Sequence, residues 1–483
     1  MGERFDVVVC GAGAAGAAAA SRLSDDASRT VLLLDAGPDY PDELESPPGF
    51  LTGGNILGHN FAGVAAPTPD TDWNYWSPPL RDGRRVHHKR GKLVGGSTMI
   101  NGTIGVRGAP VDFDRWQEHG APGWAWADVK PYVERVETVV PLKRYREERW
   151  LPFAKAFKEA FLELGYRWVP DMNGEDAWDG VVGPWPQNRR SEIRMGTLTT
   201  YVRRARPRPN FEVRGNALVD RVLLDGGRAV GVRYVDRDGS VVDVEAGEVV
   251  VAGGAYGSPS VLLRSGIGPE DELRALGIEP VRNLPVGRGM MEHPQCLFTL
   301  RTPPELAEMG NPSWPVAARA EGNHWWSFPL ALDEDEGICA MAFGIAEDHN
   351  DGTVRLASPD PADAPIIDHR LQDVIDSPPV QFQHAWSTFR AVVESKAMRS
   401  RGVTSPDLER SLEEILQEGM HTGFHPAGGC PIGRVVDEEL RVHGIEGLRV
   451  ADASVFPRHT LNNPNLTCMM LGERVATMIA GGE

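Results

Sequence analysis

The stretch Phe5-Asp6-Val7-Val8-Val9-Cys10-Gly11-Ala12-Gly13-Ala14-Ala15-Gly16 decides how this chain folds. The β-branched apolar run over residues 5–10 reads as a strand, and the alanine-rich stretch ending near Leu23 reads as a helix. Between them Gly11, Gly13 and Gly16 spell G-x-G-x-x-G. The first permits a tight turn, the second lets backbone approach a pyrophosphate, and the third packs helix on strand. The helix N-terminus, with Ala14 and Ala15 at its start, then offers free N–H groups and a positive dipole to phosphates.

A second apolar run over residues 31–34 ends at Asp35-Ala36, closing a β-α-β unit in about the 30 residues such a unit needs. Asp35 stands where a carboxylate accepts hydrogen bonds from an adenosine ribose. Taken alone it is equally an ordinary turn aspartate before Gly37-Pro38. NAD and FAD share this fingerprint, so the glycines leave that choice open.

A chain of 483 residues exceeds one compact core, and two joined domains are expected. Its composition, 41% hydrophobic, 24% charged and with 54 glycines, is that of a soluble α/β protein rich in tight turns. The formal charge of −18 argues against a nucleic-acid partner. Arg84-Arg85, Lys89-Arg90 and Arg203-Arg204 then read as solvated surface or local anion contacts. No apolar run approaches the roughly 18 residues that span a bilayer, and no signal-peptide hydrophobic region opens the chain, so a cytoplasmic protein is expected. The five cysteines are scattered without a C-x-x-C pair, so neither a disulfide framework nor a zinc site is expected.

Residues 38–86 are dense in proline, glycine and aromatics, which suggests a long segment covering the first domain. Amphipathic helical patterns follow at residues 129–136 and 153–164, and β-rich stretches at 210–235 and 241–252. Between about 296 and 421 the composition turns mixed, with tryptophans, prolines and an acidic run, as in an inserted domain. The final stretch reads as strand, loop and C-terminal helix, with Asn465 and Thr467 as the helix cap.

Four further segments carry a family likeness. They are Arg90-Gly-Lys-Leu-Val-Gly-Gly-Ser-Thr-Met-Ile-Asn101, Gly253-Gly-Ala-Tyr-Gly-Ser-Pro-Ser-Val-Leu-Leu-Arg-Ser-Gly-Ile-Gly268, His425-Pro-Ala-Gly-Gly-Cys-Pro-Ile-Gly433, and Val450-Ala-Asp-Ala-Ser-Val-Phe-Pro457 continuing through His459 and Asn463-Pro-Asn to Glu473. With the N-terminal fingerprint they resemble the signatures of the glucose-methanol-choline oxidoreductase family, in that family's order and from end to end. The last segment looks closest to the choline oxidase and dehydrogenase branch.

The resemblance implies an α/β fold: a Rossmann-like FAD-binding domain from residues 1–140, 187–295 and 422–483, with an inserted α+β substrate-binding domain from 141–186 and 296–421. It implies FAD contacts from Gly11, Gly13, Ala14, Ala15, Gly16, Asp35 and Ala36, from Gly91, Gly95, Gly96, Ser97 and Asn101, and from Val219, Asp452, Ala453, Asn463 and Pro464. Where the choline oxidase branch can carry a flavin-linked histidine this chain has Ile100, so non-covalent FAD is expected.

Oxidising an alcohol requires loss of the hydroxyl proton and transfer of hydride to flavin N5, so the site needs a base facing the substrate oxygen. The resemblance makes His425 that base, or the stabiliser of the alkoxide, and Asn463 its partner orienting the substrate oxygen. Without the family, His425 is also readable as a turn histidine. His421 and His425 stand four apart, but Gly423 and Pro426 break any helix that would let them share a metal, and no metal is expected.

Trp314, Trp325, Trp326 and Phe328 either line a pocket or cage a cation, with Glu321 nearby as a charge partner, or are plain core. Oxygen or an electron carrier accepts the electrons; a dehydrogenase re-oxidising a carrier such as mycofactocinol is one alternative. A flavin-containing hydroxynitrile lyase and a flavin-stabilised scaffold are readings from other classes.

Overall fold

The computed structural model describes residues 3–47, 49–51, 68, 70–310, 312, 314–320, 324–346 and 352–481. Residues 52–67 of the expected covering segment, and Glu321, lie outside the described residues.

Strand β1 (Arg4–Cys10), helix α1 (Ala14–Leu23) and strand β2 (Val31–Leu34) form the expected unit. Val7, Val8 and Val9 are buried on both faces of their strand, as in parallel sheets covered on both sides. β1 pairs in parallel with β2 and with the second half of strand Val241–Val251, while β2 pairs in parallel with Phe211–Arg214. The first half of Val241–Val251 instead continues an antiparallel meander with Leu218–Asp225 and Arg228–Val235. Strand Leu448–Val450 adds in parallel at Val249, Val250 and Val251, so the C-terminal part of the chain returns to the first sheet.

The last helix, Asn465–Ile479, lies against α1, and the two backbones nearly touch. A Cβ at Gly472 would stand 2.2 Å from the carbonyl oxygen of Ala15. Glu473, fully buried beside it, receives Nε and Nη2 of Arg22 at 2.8 and 2.9 Å and the hydroxyl of Tyr201 at 2.9 Å.

A second, largely antiparallel sheet runs in the order His421–Thr422, Pro294–Arg301, Ile338–Ile345, Trp325–Asp333, Val316–Ala320, Val181–Pro184, Arg167–Trp168. The expected amphipathic helices, observed at Trp126–Val139 and Pro152–Glu163, pack with the first and second cores respectively. Side chains alternate across the second sheet. Cys339, Met341 and Phe343 join the core under Pro152–Glu163 and Val380–Glu394, whereas Ala340 and Ala342 face the other way, with Trp314, Trp326 and Phe328.

A smaller sheet links the two regions, pairing Ile366–Asp368, Gly352–Arg355, Arg288–Met291 and Ala427–Gly429. Residues 352–368 fall in the stretch expected to belong to the inserted domain. Their Val354, Leu356 and Ile367 nevertheless join the core of the first sheet, because pairing with Arg288–Met291 carries them there. All five cysteines are buried and unpaired with one another, and among the described residues no helix is long and apolar enough to cross a membrane.

Candidate active site

A cleft of about 480 Å³ runs from the β1–α1 turn to the face of the second sheet that carries Trp326 and Phe328. At the first end the three glycines of the fingerprint have three separate geometric causes. Gly11 has φ +112°, and a Cβ there would lie 2.3 Å from the oxygen of Ala252. A Cβ at Gly16 would lie 1.9 Å from the oxygen of Gly11, so α1 can sit this close to the turn only without it. At Gly13 nothing lies within 4 Å of such a carbon, because that position faces the open cleft. No side chain caps α1, so the N–H groups of its first turn are left for a ligand.

Asp35 directly follows β2 and lines the cleft with Ala36; its two carboxylate oxygens accept the N–H groups of Ala12 at 3.0 Å and Gly37 at 2.9 Å. Burial pushes its carboxyl up to about 6, against these hydrogen bonds. Gly91, Gly96, Ser97, Asn101, Val219, Asp452 and Ala453 also line the cleft. The Asn101 side-chain oxygen is fixed by Nη1 of the buried Arg194 at 2.6 Å. Asp452 ties strand Leu448–Val450 to helix Gly254–Arg264 by accepting the N–H of Gly254 at 2.8 Å and the hydroxyl of Ser258. Two expected contacts do not reach the cleft. Gly16 is buried under Gly11, and Gly95, with φ +100°, packs against Met99.

At the other end His425, Asn463 and Pro464 line the same cleft. The loop carrying His425 is held from several sides. Its own N–H donates to Oε1 of Glu292 at 2.8 Å, its carbonyl lies 2.5 Å from Nε2 of His459, and its Nδ1 lies 3.0 Å from Nδ1 of His293. The preceding Phe424 adopts φ +63°, a left-handed conformation that costs a bulky residue about 1–2 kcal/mol. It persists because its N–H donates to the hydroxyl of Thr422 at 2.8 Å and its carbonyl accepts Nη2 of Arg90 at 2.7 Å.

Burial, then the positive charges of His459 and Arg90, hold the His425 imidazole well below its ordinary range, so it is neutral near pH 7. Glu292, 3% exposed, is pushed up to about 7 by burial, against the hydroxyl of Thr422, the charge of Arg90 and the N–H groups of His425 and His293.

The side-chain oxygen of Asn463 has no hydrogen-bond partner among the described residues, although it is buried from water. Its neighbour Asn462 is fixed instead, accepting Nη2 of the buried Arg319 at 2.8 Å and donating to the carbonyl of Arg107 at 2.9 Å. The expected cap of the last helix is corrected. Pro464 is the cap residue and Asn465 the first helical one, with no side-chain cap bond. Proline at the boundary has a pre-set φ, and the Asn465 amide lines the cleft with its nitrogen unpartnered.

The aromatic cluster divides by strand alternation. Trp325 points into the far core against Phe343, with ring centres 5.3 Å apart, while Trp326 and Phe328 face the cleft with Trp314. Trp326 stands 5.8 Å from the ring of His425, and Trp185 and Trp314 flank Phe328 at 5.2 and 5.4 Å. Glu292, His293 and Trp185 were not legible as site residues. The only sequence signal was Glu-His directly before a proline, too short to stand out.

The cleft joins a phosphate-binding turn to an imidazole and an unpartnered amide, with glycine backbone along its length. Family models described as GMC oxidoreductase match residues 5–295 and 348–472. The chain belongs to the GMC oxidoreductase family. An oxygen-dependent choline dehydrogenase of Escherichia coli O127:H6 is 31% identical over 552 aligned positions, covering 99% of this chain and 96% of that one. The corresponding protein of Brucella anthropi is 32% identical, covering 99% and 95%.

Among solved structures, pyridoxine 4-oxidase from Mesorbium loti superposes with a TM-score of 0.86 at 24% identity, covering 99% of this chain and all of that one. A fungal aryl-alcohol oxidase superposes with a TM-score of 0.81 at 20% identity, covering 100% and 99%. This GMC protein is an FAD-dependent oxidoreductase acting on alcohol-type substrates. The open position at Gly13, the uncapped start of α1 and the unpartnered groups of Asn463 and Asn465 fit that cofactor.

Proposed function

We propose that His425 removes the hydroxyl proton of an alcohol while Asn463 orients that oxygen. The observation carrying this reading is a neutral imidazole lining the cleft together with a buried amide oxygen that lacks a partner. FAD, when bound, supplies the hydride acceptor. Of the contacting Nδ1 atoms of His425 and His293, one donates and the other accepts. If His425 donates, its Nε2 keeps the lone pair and is the base. The single hydroxyl proton then lies toward that Nε2, and Asn463 holds the substrate oxygen in place.

The body of the substrate lies against Trp185, Trp314, Trp326 and Phe328, which receive an aryl group by stacking or a quaternary ammonium by cation–π attraction. Ile100, 2% exposed in the core, offers no nucleophile, so acid precipitation releases the FAD intact.

The test is anaerobic mixing of the FAD-loaded protein with choline, aryl and furanic alcohols, sugars and mycofactocinol, followed by admission of air. One class bleaches the flavin, and the speed of recovery in air separates oxygen from a carrier as acceptor. In His425→Ala the FAD stays bound, while its reduction slows by about 10²–10⁴-fold. Unchanged reduction in that variant removes His425 from the mechanism. No bleaching by any alcohol, with cyanide released from a cyanohydrin, makes the protein a lyase.

A further inference from the structure

Beside the loop that carries His425, and outside the cleft lining, three residues from distant parts of the chain converge. His88, Glu292 and His369 each present one nitrogen or oxygen, and these atoms lie within 4.8 Å of one another. The three side chains belong to residues only 1%, 3% and 5% exposed. The rings of His88 and His369 stand 5.2 Å apart at 64°. Neither nitrogen of His88 has a hydrogen-bond partner among the described residues, and neither does Nδ1 of His369. Leaving a buried polar group unsatisfied is costly, and here three unsatisfied nitrogens sit next to a carboxylate.

The surroundings of these side chains are those of an outer shell. The Tyr256 hydroxyl lies 2.8 Å from His369 Nε2, and with Nε2–H donating to that oxygen Nδ1 keeps its lone pair for an ion. Oε1 of Glu292 receives the N–H groups of His293 and His425, both at 2.8 Å, and Oε2 receives the hydroxyl of Thr422, leaving it a further lone pair. Metal-bound histidines and carboxylates are oriented in this way by groups that do not touch the ion. Arg90, whose charge reaches all three side chains, donates Nη2 to the carbonyl of Phe424 at 2.7 Å.

We propose that His88, Glu292 and His369 bind one divalent transition-metal ion of the zinc class, with solvent completing the coordination. Two neutral imidazoles and one carboxylate suit that class and not calcium or magnesium, which take oxygen ligands. Bonds of about 2.0–2.2 Å require the three ligand atoms to draw in by up to about 1 Å, a movement within reach of side-chain rotation. The ion is structural: it neutralises Glu292 and so fixes the carboxylate on which the His425 N–H rests. This departs from the expectation of no metal, because positions 88, 292 and 369 form no ligand spacing in the sequence.

FAD-loaded protein, dialysed against EDTA and titrated with zinc sulfate by calorimetry, is expected to take up about one equivalent per chain. His88→Ala and His369→Ala are each expected to lose that uptake. Zinc K-edge absorption on the wild-type complex is expected to show two imidazoles and no sulfur. No uptake by the wild type, uptake unchanged in both variants, or an edge spectrum with fewer than two imidazoles overturns the assignment. The spectrum needs no variant, so it decides the matter even where a substitution prevents folding.

Discussion

His425 and His293 share one contact, and its direction decides which nitrogen of His425 is free to act. With His293 as acceptor, His425 holds its proton on Nδ1 and presents Nε2 to the substrate. His293→Phe removes that acceptor while filling the space beside Trp326, whose ring centre lies 5.0 Å away. Alcohol-driven flavin reduction is then expected to fall about 10–100-fold, in kcat more than in KM. A rise in KM alone, measured by stopped-flow reduction, contradicts this role.

A second histidine matters for stability. Burial pushes His421 down to about 4 from 6.5, so the folded protein favours its neutral ring. That contribution is complete above pH 6.5 and is lost as pH falls through 4, since the unfolded ring takes up its proton first. His421→Gln is expected to flatten the fall of the melting temperature across that window. At this scale the places of His425 and Asn463 in the cleft were readable because they sit in long signatures, whereas His293 meets His425 only through a contact across 132 positions.

At the scale of elements, the β1–α1 turn separates folding from cofactor binding. Gly13→Leu places its side chain in open cleft, so the protein folds and melts like the wild type stripped of FAD but is purified without flavin. Gly16→Leu pushes a side chain into the Gly11 carbonyl, so the fold itself is destabilised. Absorbance at 450 nm read beside thermal melting distinguishes the two. This turn and the helices at Trp126–Val139 and Pro152–Glu163 were legible because period and glycine spacing are local properties. The split of Trp325 from Trp326 was not, since it requires knowing that the segment is a strand and which face meets the cleft.

For the whole molecule, the first and last helices are joined by the bidentate pair of Arg22 and Glu473, with Tyr201 as third member. Glu473→Leu leaves the partly buried Arg22 guanidinium with Asp25 alone and takes away the acceptor of the Tyr201 hydroxyl, and a loss of about 3 kcal/mol in stability is expected, read as a lower urea midpoint. A midpoint shift under about 0.5 kcal/mol would show the pair to be replaceable. The sheet order was beyond reach of the sequence: strand Val241–Val251 serves a meander with one half and the dinucleotide sheet with the other, and residues 352–368 cross to the first core.

The near-contact of Gly472 with Ala15 also sets a timetable for synthesis. β1 and α1 leave the ribosome well before the strand that flanks β1 on the side away from β2 and the helix that covers α1, the latter the final described element. A nascent chain arrested before that helix presents the alanine face of α1 to solvent and to chaperones. The binding turn is therefore closed by a long-range step, between parts of the chain as far apart as Arg22 and Glu473, 451 positions.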